Sequence, residues 1–309
     1  MKKANTGHAS ALRFTQKTSA LLALLLLTAS VTACTQNPDD TADADTSVTT
    51  EEVGIKNGDV FVMDGHLSEV VYPLKENMVT YAGTLMQSIY DSYLSSGSHR
   101  IAVSIVPDKN VYLNTSEDYA AGKLDEIPLP DYARMTELLR TETDDFAAFV
   151  DLTQSLSLSS YYLTDMHWRQ EYLTAPAHLL GEAFGLHLTC EAEGIAFETH
   201  PFVGSYTADP LAASVENDTL YYLTNDTFSS VTVTDYVNGV PQSGVLYNTE
   251  IKPDAKTYDL FLSGPMPLQV LESPNAATDR ELIIFRDSLA RSVSSARISR
   301  SIDGNIRRE

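Results

Sequence analysis

The chain has 309 residues, long enough for one large domain or two modest ones, and its 43% hydrophobic and 20% charged residues are those of a folded protein. With 15 Gly and 13 Pro it is neither collagen-like nor of low complexity. Its 21 Lys and Arg stand against 42 Asp and Glu, a net charge of −21, which excludes the basic surface that nucleic acid requires.

Residues 1–33 read as a leader. Lys2, Lys3, Arg13 and Lys17 carry the only formal side-chain charges before Asp39 and precede the apolar run Ala20 to Leu27. The run ends in Val31-Thr32-Ala33-Cys34, which resembles the lipobox of bacterial lipoprotein signal peptides. The expectation is cleavage before Cys34, a lipid on its sulfur, and an extracytoplasmic protein anchored to the bacterial cell membrane. An uncleaved membrane anchor is the alternative, although Thr28, Ser30 and Thr32 interrupt the apolar stretch. With Cys34 lipidated, Cys190 stands alone, so neither a disulfide nor a cysteine metal cluster is expected. No metal or cofactor is expected at all. Residues 34–53 carry only Ala42, Ala44, Val48 and Val53 as apolar residues beyond Cys34 and read as a disordered Asp/Thr-rich tether.

Residues 54–309 form the expected domain. Met78, Ala82, Leu85, Ile89 and Tyr93 recur at three- and four-residue spacing and predict a helix ending near Gly97. Arg100 to Val106 is apolar at nearly every position, as in a strand covered on both faces, and Pro107 closes it. Tyr132, Met135, Leu138 and Leu139 predict a second helix, Phe146 to Leu152 a short strand, and Pro176 to His187 a third helix. This alternation is α/β grammar. From about 195 to 260 the texture turns β-rich: Val231 to Thr234 alternates with period two and reaches Asn238-Gly239, a hairpin turn, with Val245 to Tyr247 as a return strand. Glu281 to Arg286 reads as another buried strand.

Two stretches carry chemistry. In Tyr161-Tyr162-Leu163-Thr164-Asp165-Met166-His167-Trp168, an extended backbone turns Asp165 and His167 to one side, so the carboxylate can fix the imidazole as a general base. Asp287-Ser288 follows the last strand, where a serine at a strand-to-helix turn has an exposed hydroxyl beside backbone N–H groups. A local Asp-x-His hydrogen bond and a helix cap are the plainer readings of the same residues. Lys109, two after Pro107, is a candidate for an anionic group of the substrate or a solvated loop lysine, and Gly264 is a candidate second oxyanion donor. His178 and His187 are nine apart, which is not the spacing of a helical zinc pair. The 16 Tyr residues are candidates for a sugar-binding groove or for ordinary half-buried positions.

The stretch Tyr161 to Trp168 resembles the signature of the DHHW family of Gram-positive surface proteins. The likeness extends to Ile105 to Lys109, His200 to Tyr206, Tyr258 to Gly264 and Leu282 to Ser288. That family is similar to SGNH-like alginate and cell-wall O-acetyltransferase domains. The resemblance implies an SGNH-like, flavodoxin-like parallel sheet flanked by helices, with the β-rich segment as an insertion. It also implies Ser288 as nucleophile, His167 as base, Asp165 as orienter, and Trp168 packed beside the imidazole. The implied function is serine-dependent O-acetyl transfer or ester hydrolysis on a cell-envelope polysaccharide or peptidoglycan, with a membrane acyl-donor protein as a further partner. The competing function is a non-catalytic surface protein that binds glycan or protein. Two places depart from the family: Met166 stands where its motif has a first histidine, and residues 289–309 hold five Arg, five Ser and no aromatic residue.

Overall fold

The computed structural model describes residues 56–186, 196–254, 256–274, 280–287 and 290–292, together with the backbone of 21–28. Cys34, Cys190, His187, Ser288, the tether, and the tail beyond 292 lie outside the described residues. In chain order the elements are β1 (Leu21–Thr28), β2 (Val60–Met63), β3 (His66–Glu69), α1 (Glu76–Ile89), β4 (Arg100–Val106), α2 (Glu117–Ala120), α3 (Tyr132–Thr143) and β5 (Ala148–Phe149). There follow α4 (Thr174–Ala183), β6 (Ala196–Pro201), β7 (Thr219–Thr224), α5 (Asp226–Ser230), β8 (Thr232–Val237), β9 (Val240–Ser243), β10 (Leu268–Glu272) and β11 (Glu281–Phe285).

The architecture is mixed α/β, and its strands do not form one sheet. A parallel sheet runs in the order β11-β1-β4-β5, while β2-β3, β6-β7 and β10-β8-β9 are separate antiparallel sheets. Strand β1 pairs in parallel with β4 on one side and β11 on the other. It is drawn from the run that the sequence reading assigns to the leader. A continuous apolar run has the same pattern in an h-region and in a doubly covered strand, so periodicity does not separate the two.

Strand β4 is buried from Ile101 to Val106. Helix α1 packs on α3 with Gly83 at the crossing, where a Cβ would lie 2.4 Å from the Glu142 Cβ. The buried residues of α1 are Gly83 and Met86, each one position on from a predicted one, while Ala82 and Ile89 of the predicted stripe are half-buried and Ile89 packs against the core beside Val79. Met78, Leu85 and Tyr93 are exposed, Tyr93 at 77%. Both stripes are apolar, and the approach at Gly83 selects the second.

The hairpin forms at Asn238-Gly239, both with positive φ, but β9 returns at once through Val240–Ser243. Val245 to Tyr247 instead leads to an isolated bridge between Tyr247 and Phe261. Strand β11 also differs from expectation. It is the edge strand of the parallel sheet among the described residues, with Leu282, Ile283 and Phe285 exposed and only Ile284 packed against the core.

The β-rich segment supplies its own cluster, Tyr162, Phe202, Leu220, Tyr222, Tyr258, Leu260 and Phe261, which backs the loop carrying Asp165 and His167.

Candidate active site

Between Ser160 and Arg169 the chain doubles back on itself. Arg169 N–H donates to the Ser160 carbonyl at 2.8 Å and Tyr162 N–H to the His167 carbonyl at 3.1 Å. Tyr161, Tyr162 and Trp168 are wholly buried, so aromatic packing anchors both arms of the loop. Its tip is held from outside by Asp218, which accepts from the N–H groups of Leu163 and Thr164 at 2.8 and 2.7 Å and from the Thr164 hydroxyl at 2.6 Å.

Within the loop Asp165 and His167 form the expected pair. Asp165 Oδ1 faces His167 Nδ1 at 2.5 Å and also accepts the His167 backbone N–H at 2.8 Å. The other oxygen accepts the Ser205 N–H at 2.7 Å. Burial pushes the Asp165 pKa up, but the His167 charge, the hydrogen bonds from His167 and the Ser205 N–H prevail and hold it well below the usual carboxylate range. The carboxylate is therefore ionised, and Nδ1 carries the proton that it accepts.

Gly204 makes this arrangement possible. A Cβ there would lie 2.1 Å from the Thr164 carbonyl oxygen, so only glycine lets the 202–206 segment approach closely enough to present the Ser205 N–H. The sequence reading noted the His200 to Tyr206 stretch without giving it this role.

Trp168 lies in the cluster with Leu173, Ala177, Leu180 and Phe184, and Tyr258 stacks on the His167 ring at 3.7 Å between centroids and 17° between planes. Lys109 is buried and donates to the carbonyls of Leu67 and Tyr162, the latter at 2.9 Å. Burial pushes its pKa down to about 8 against the opposing pull of Asp165, Asp108 and Asp218. It supports the loop rather than standing in solvent. Gly264 has the positive φ of a turn, and its N–H donates to the Phe261 carbonyl at 3.1 Å, so that amide is engaged within its own turn.

Ser288 and Leu289 lie outside the described residues, but the chain before and after them is placed. Before it, Arg286 donates to Gln269 Oε1 at 3.0 Å. After it, Ala290, Arg291 and Ser292 are buried. Ser292 Oγ shares a hydrogen bond with the Tyr258 hydroxyl at 2.7 Å, and its carbonyl accepts from Gln170 Nε2 at 3.1 Å. Arg291 pairs with Asp259 and lies over the Tyr258 ring. Residues 290–292 thus close on the ring that stacks on His167. Gln170 carries no motif of its own, and Tyr258, although it opens the family-like stretch Tyr258 to Gly264, was given no role by the sequence.

No protein-family model matches this chain, and no curated relative matches it either. Solved structures do. A DHHW family protein from Eubacterium siraeum DSM 15702 superposes with a TM-score of 0.53 at 18% identity over 78% of each chain. Bacillus cereus PatB1 gives 0.55 at 17% identity, over 80% of this chain and 86% of that one. PatB1 with a sulfonyl adduct gives 0.58 at 14% identity, over 79% and 83%. At these identities the likeness is one of fold: over most of its length this chain is built like a DHHW family protein and like PatB1.

Proposed function

We propose that the chain is an extracytoplasmic serine acyltransferase or esterase of SGNH-like type that acts on a cell-envelope glycan, with Ser288, His167 and Asp165 as its triad. Ser288 Oγ attacks the carbonyl carbon of an acyl ester while His167 Nε2 takes its proton. The departing alcohol then receives that proton, leaving an acyl-serine. A glycan hydroxyl, deprotonated by His167, takes the acyl group in transfer, and water takes it in hydrolysis. Asp165 stays ionised throughout and stabilises the imidazolium. The observation that carries this reading is the buried Asp165–His167 pair, whose stacked neighbour Tyr258 bonds Ser292, four residues past the proposed nucleophile. The sulfonyl adduct of PatB1 supports it, because a sulfonyl group is captured by a nucleophile.

Surface attachment belongs to the same proposal. The lipobox-like residues before Cys34 support a lipid on that cysteine, and a membrane-held acyl donor would then face a tethered acceptor enzyme. Among the described residues no helix is long and apolar enough to cross a membrane.

The test is covalent capture. A fluorophosphonate probe should label the tryptic peptide Asp287 to Arg291, at Ser288, and Ser288→Ala should abolish the label. A folded wild type that takes no label, or a label that survives Ser288→Ala, overturns the reading. A binding protein that keeps the fold without turnover is favoured by one observation, that Lys109 and the Gly264 amide are both engaged inside the protein.

A further inference from the structure

The Asp165 bond locates Nδ1 of the His167 ring, and a tilt of the ring about that bond displaces Nε2. A swing that carries Nε2 through about 1 Å costs on the order of a hundredfold in rate, so something must hold the ring's plane as well. Tyr258 lies flat against it at 3.7 Å and 17°, and Tyr258 is itself buried. Phe261 packs on Tyr258 at 5.0 Å between centroids, and Tyr162 meets it edge-on at 6.3 Å. The Tyr258 hydroxyl in turn holds Ser292 Oγ at 2.7 Å, and Gln170, three residues past His167, holds the Ser292 carbonyl.

We infer that Tyr258 is a positioning residue that fixes the plane of the His167 imidazole and, through Ser292, sets the segment following Ser288 in register with it. The inference rests on the acyl-transfer reading above and adds to it a residue outside the triad. The stack also suits the reaction, since the negative face of the phenol ring favours the imidazolium that forms as Ser288 loses its proton. The hydroxyl supplies a second restraint. It ties the base to a residue four positions beyond the proposed nucleophile, so that an error in one is carried to the other.

Two kinds of substitution separate these restraints. Tyr258→Leu removes the stack and should lower kcat for an activated acetyl ester by about 10- to 100-fold, leaving KM within about twofold. Tyr258→Phe keeps the stack and loses only the bond to Ser292; it should cost about 3- to 10-fold, and Ser292→Ala the same. The double variant Tyr258→Phe with Ser292→Ala should be no worse than either single change, because both remove one bond. Independently of turnover, the proton NMR signal of His167 Nδ1–H should be sharp in wild type and Tyr258→Phe and broadened in Tyr258→Leu. If the NMR difference appears but the wild type turns over no ester, the positioning role stands and the acyl-transfer reading falls. If the wild type is active and Tyr258→Leu matches it in kcat and in the Nδ1–H signal, the positioning role falls. Should Tyr258→Leu not fold, the Tyr258→Phe and Ser292→Ala cycle decides alone: additive losses, or none, overturn the inference.

Discussion

Asp165 Oδ1 holds His167 by two bonds, to the ring Nδ1 at 2.5 Å and to the backbone N–H at 2.8 Å. One oxygen thereby fixes both where the residue sits and which tautomer it adopts, and Nε2 is the atom that would act as base in the proposed reaction. Ser288→Ala and His167→Ala should each remove nearly all turnover of an activated acetyl ester. Asp165→Asn should leave a measurable remainder, and the first two losses should not add in the double variant. Steady-state kinetics on the folded proteins provides the measurement, and undiminished turnover in either severe variant contradicts it.

The depressed Asp165 pKa also makes a statement about acid stability. Its folded value lies below that of the unfolded chain, near about 4, so between the two the unfolded state binds a proton that the folded state does not. The Asp165 contribution is therefore complete above about pH 4 and is lost as pH falls through the folded value. Denaturant melts of wild type between pH 2 and pH 6 should show stability falling on acidification. Asp165→Asn should flatten part of that slope.

Gly204→Ala tests the close approach behind the carboxylate. The new methyl meets the backbone oxygen of Thr164, which has no soft side chain to move, so a cost of about 2 to 4 kcal/mol is expected. Because the displaced segment carries the Ser205 N–H, kcat should fall as well. A Gly204→Ala protein as stable and active as wild type would show that the loop relaxes freely.

Lys109→Met keeps the length and apolar body of the side chain while leaving the carbonyls of Leu67 and Tyr162 without their donor. Each buried acceptor so orphaned costs about 1 to 3 kcal/mol, and thermal melting should report the loss. If Lys109 served mainly to bind an anionic substrate group, KM would rise with stability intact.

The fate of residues 1–33 is open to direct measurement. Mass spectrometry of the membrane fraction should find a mature chain beginning at lipidated Cys34. A chain still beginning at Met1 would match the place that Leu21–Thr28 takes between β4 and β11. That chain should also melt at a higher temperature than one lacking residues 1–33.

Motifs with short-range meaning were legible in the sequence. Asp165 and His167 meet because they are two apart in a tight loop whose Asp165 carboxylate also accepts the His167 backbone N–H, the strand at Arg100 to Val106 is apolar at nearly every position, and Asn238-Gly239 makes its turn. What the pattern could not carry was choice between equivalent options. Helix α1 has two apolar stripes that share Ile89, and Gly83 decides between them; the run Glu281 to Arg286 looks buried, yet its strand lies at an edge among the described residues. Long-range partners were invisible for the same reason. Asp218 does not differ, as a letter in the chain, from aspartates that do nothing comparable, and Tyr258, although it opens a family-like stretch, gave no sign of its partners.

Gln170 and Ser292 meet across 122 positions, and Tyr258 and Ser292 across 34. Joints of this span are closed only after the intervening chain has been made, at a cost in loop entropy that local contacts do not bear. A chain emerging in order from its N-terminus thus carries the Asp165–His167 pair long before residue 292 is available to lock against it. Until residue 292 has been made, the Asp165–His167 pair exists without the Ser292 contact that holds the ring stacked against it.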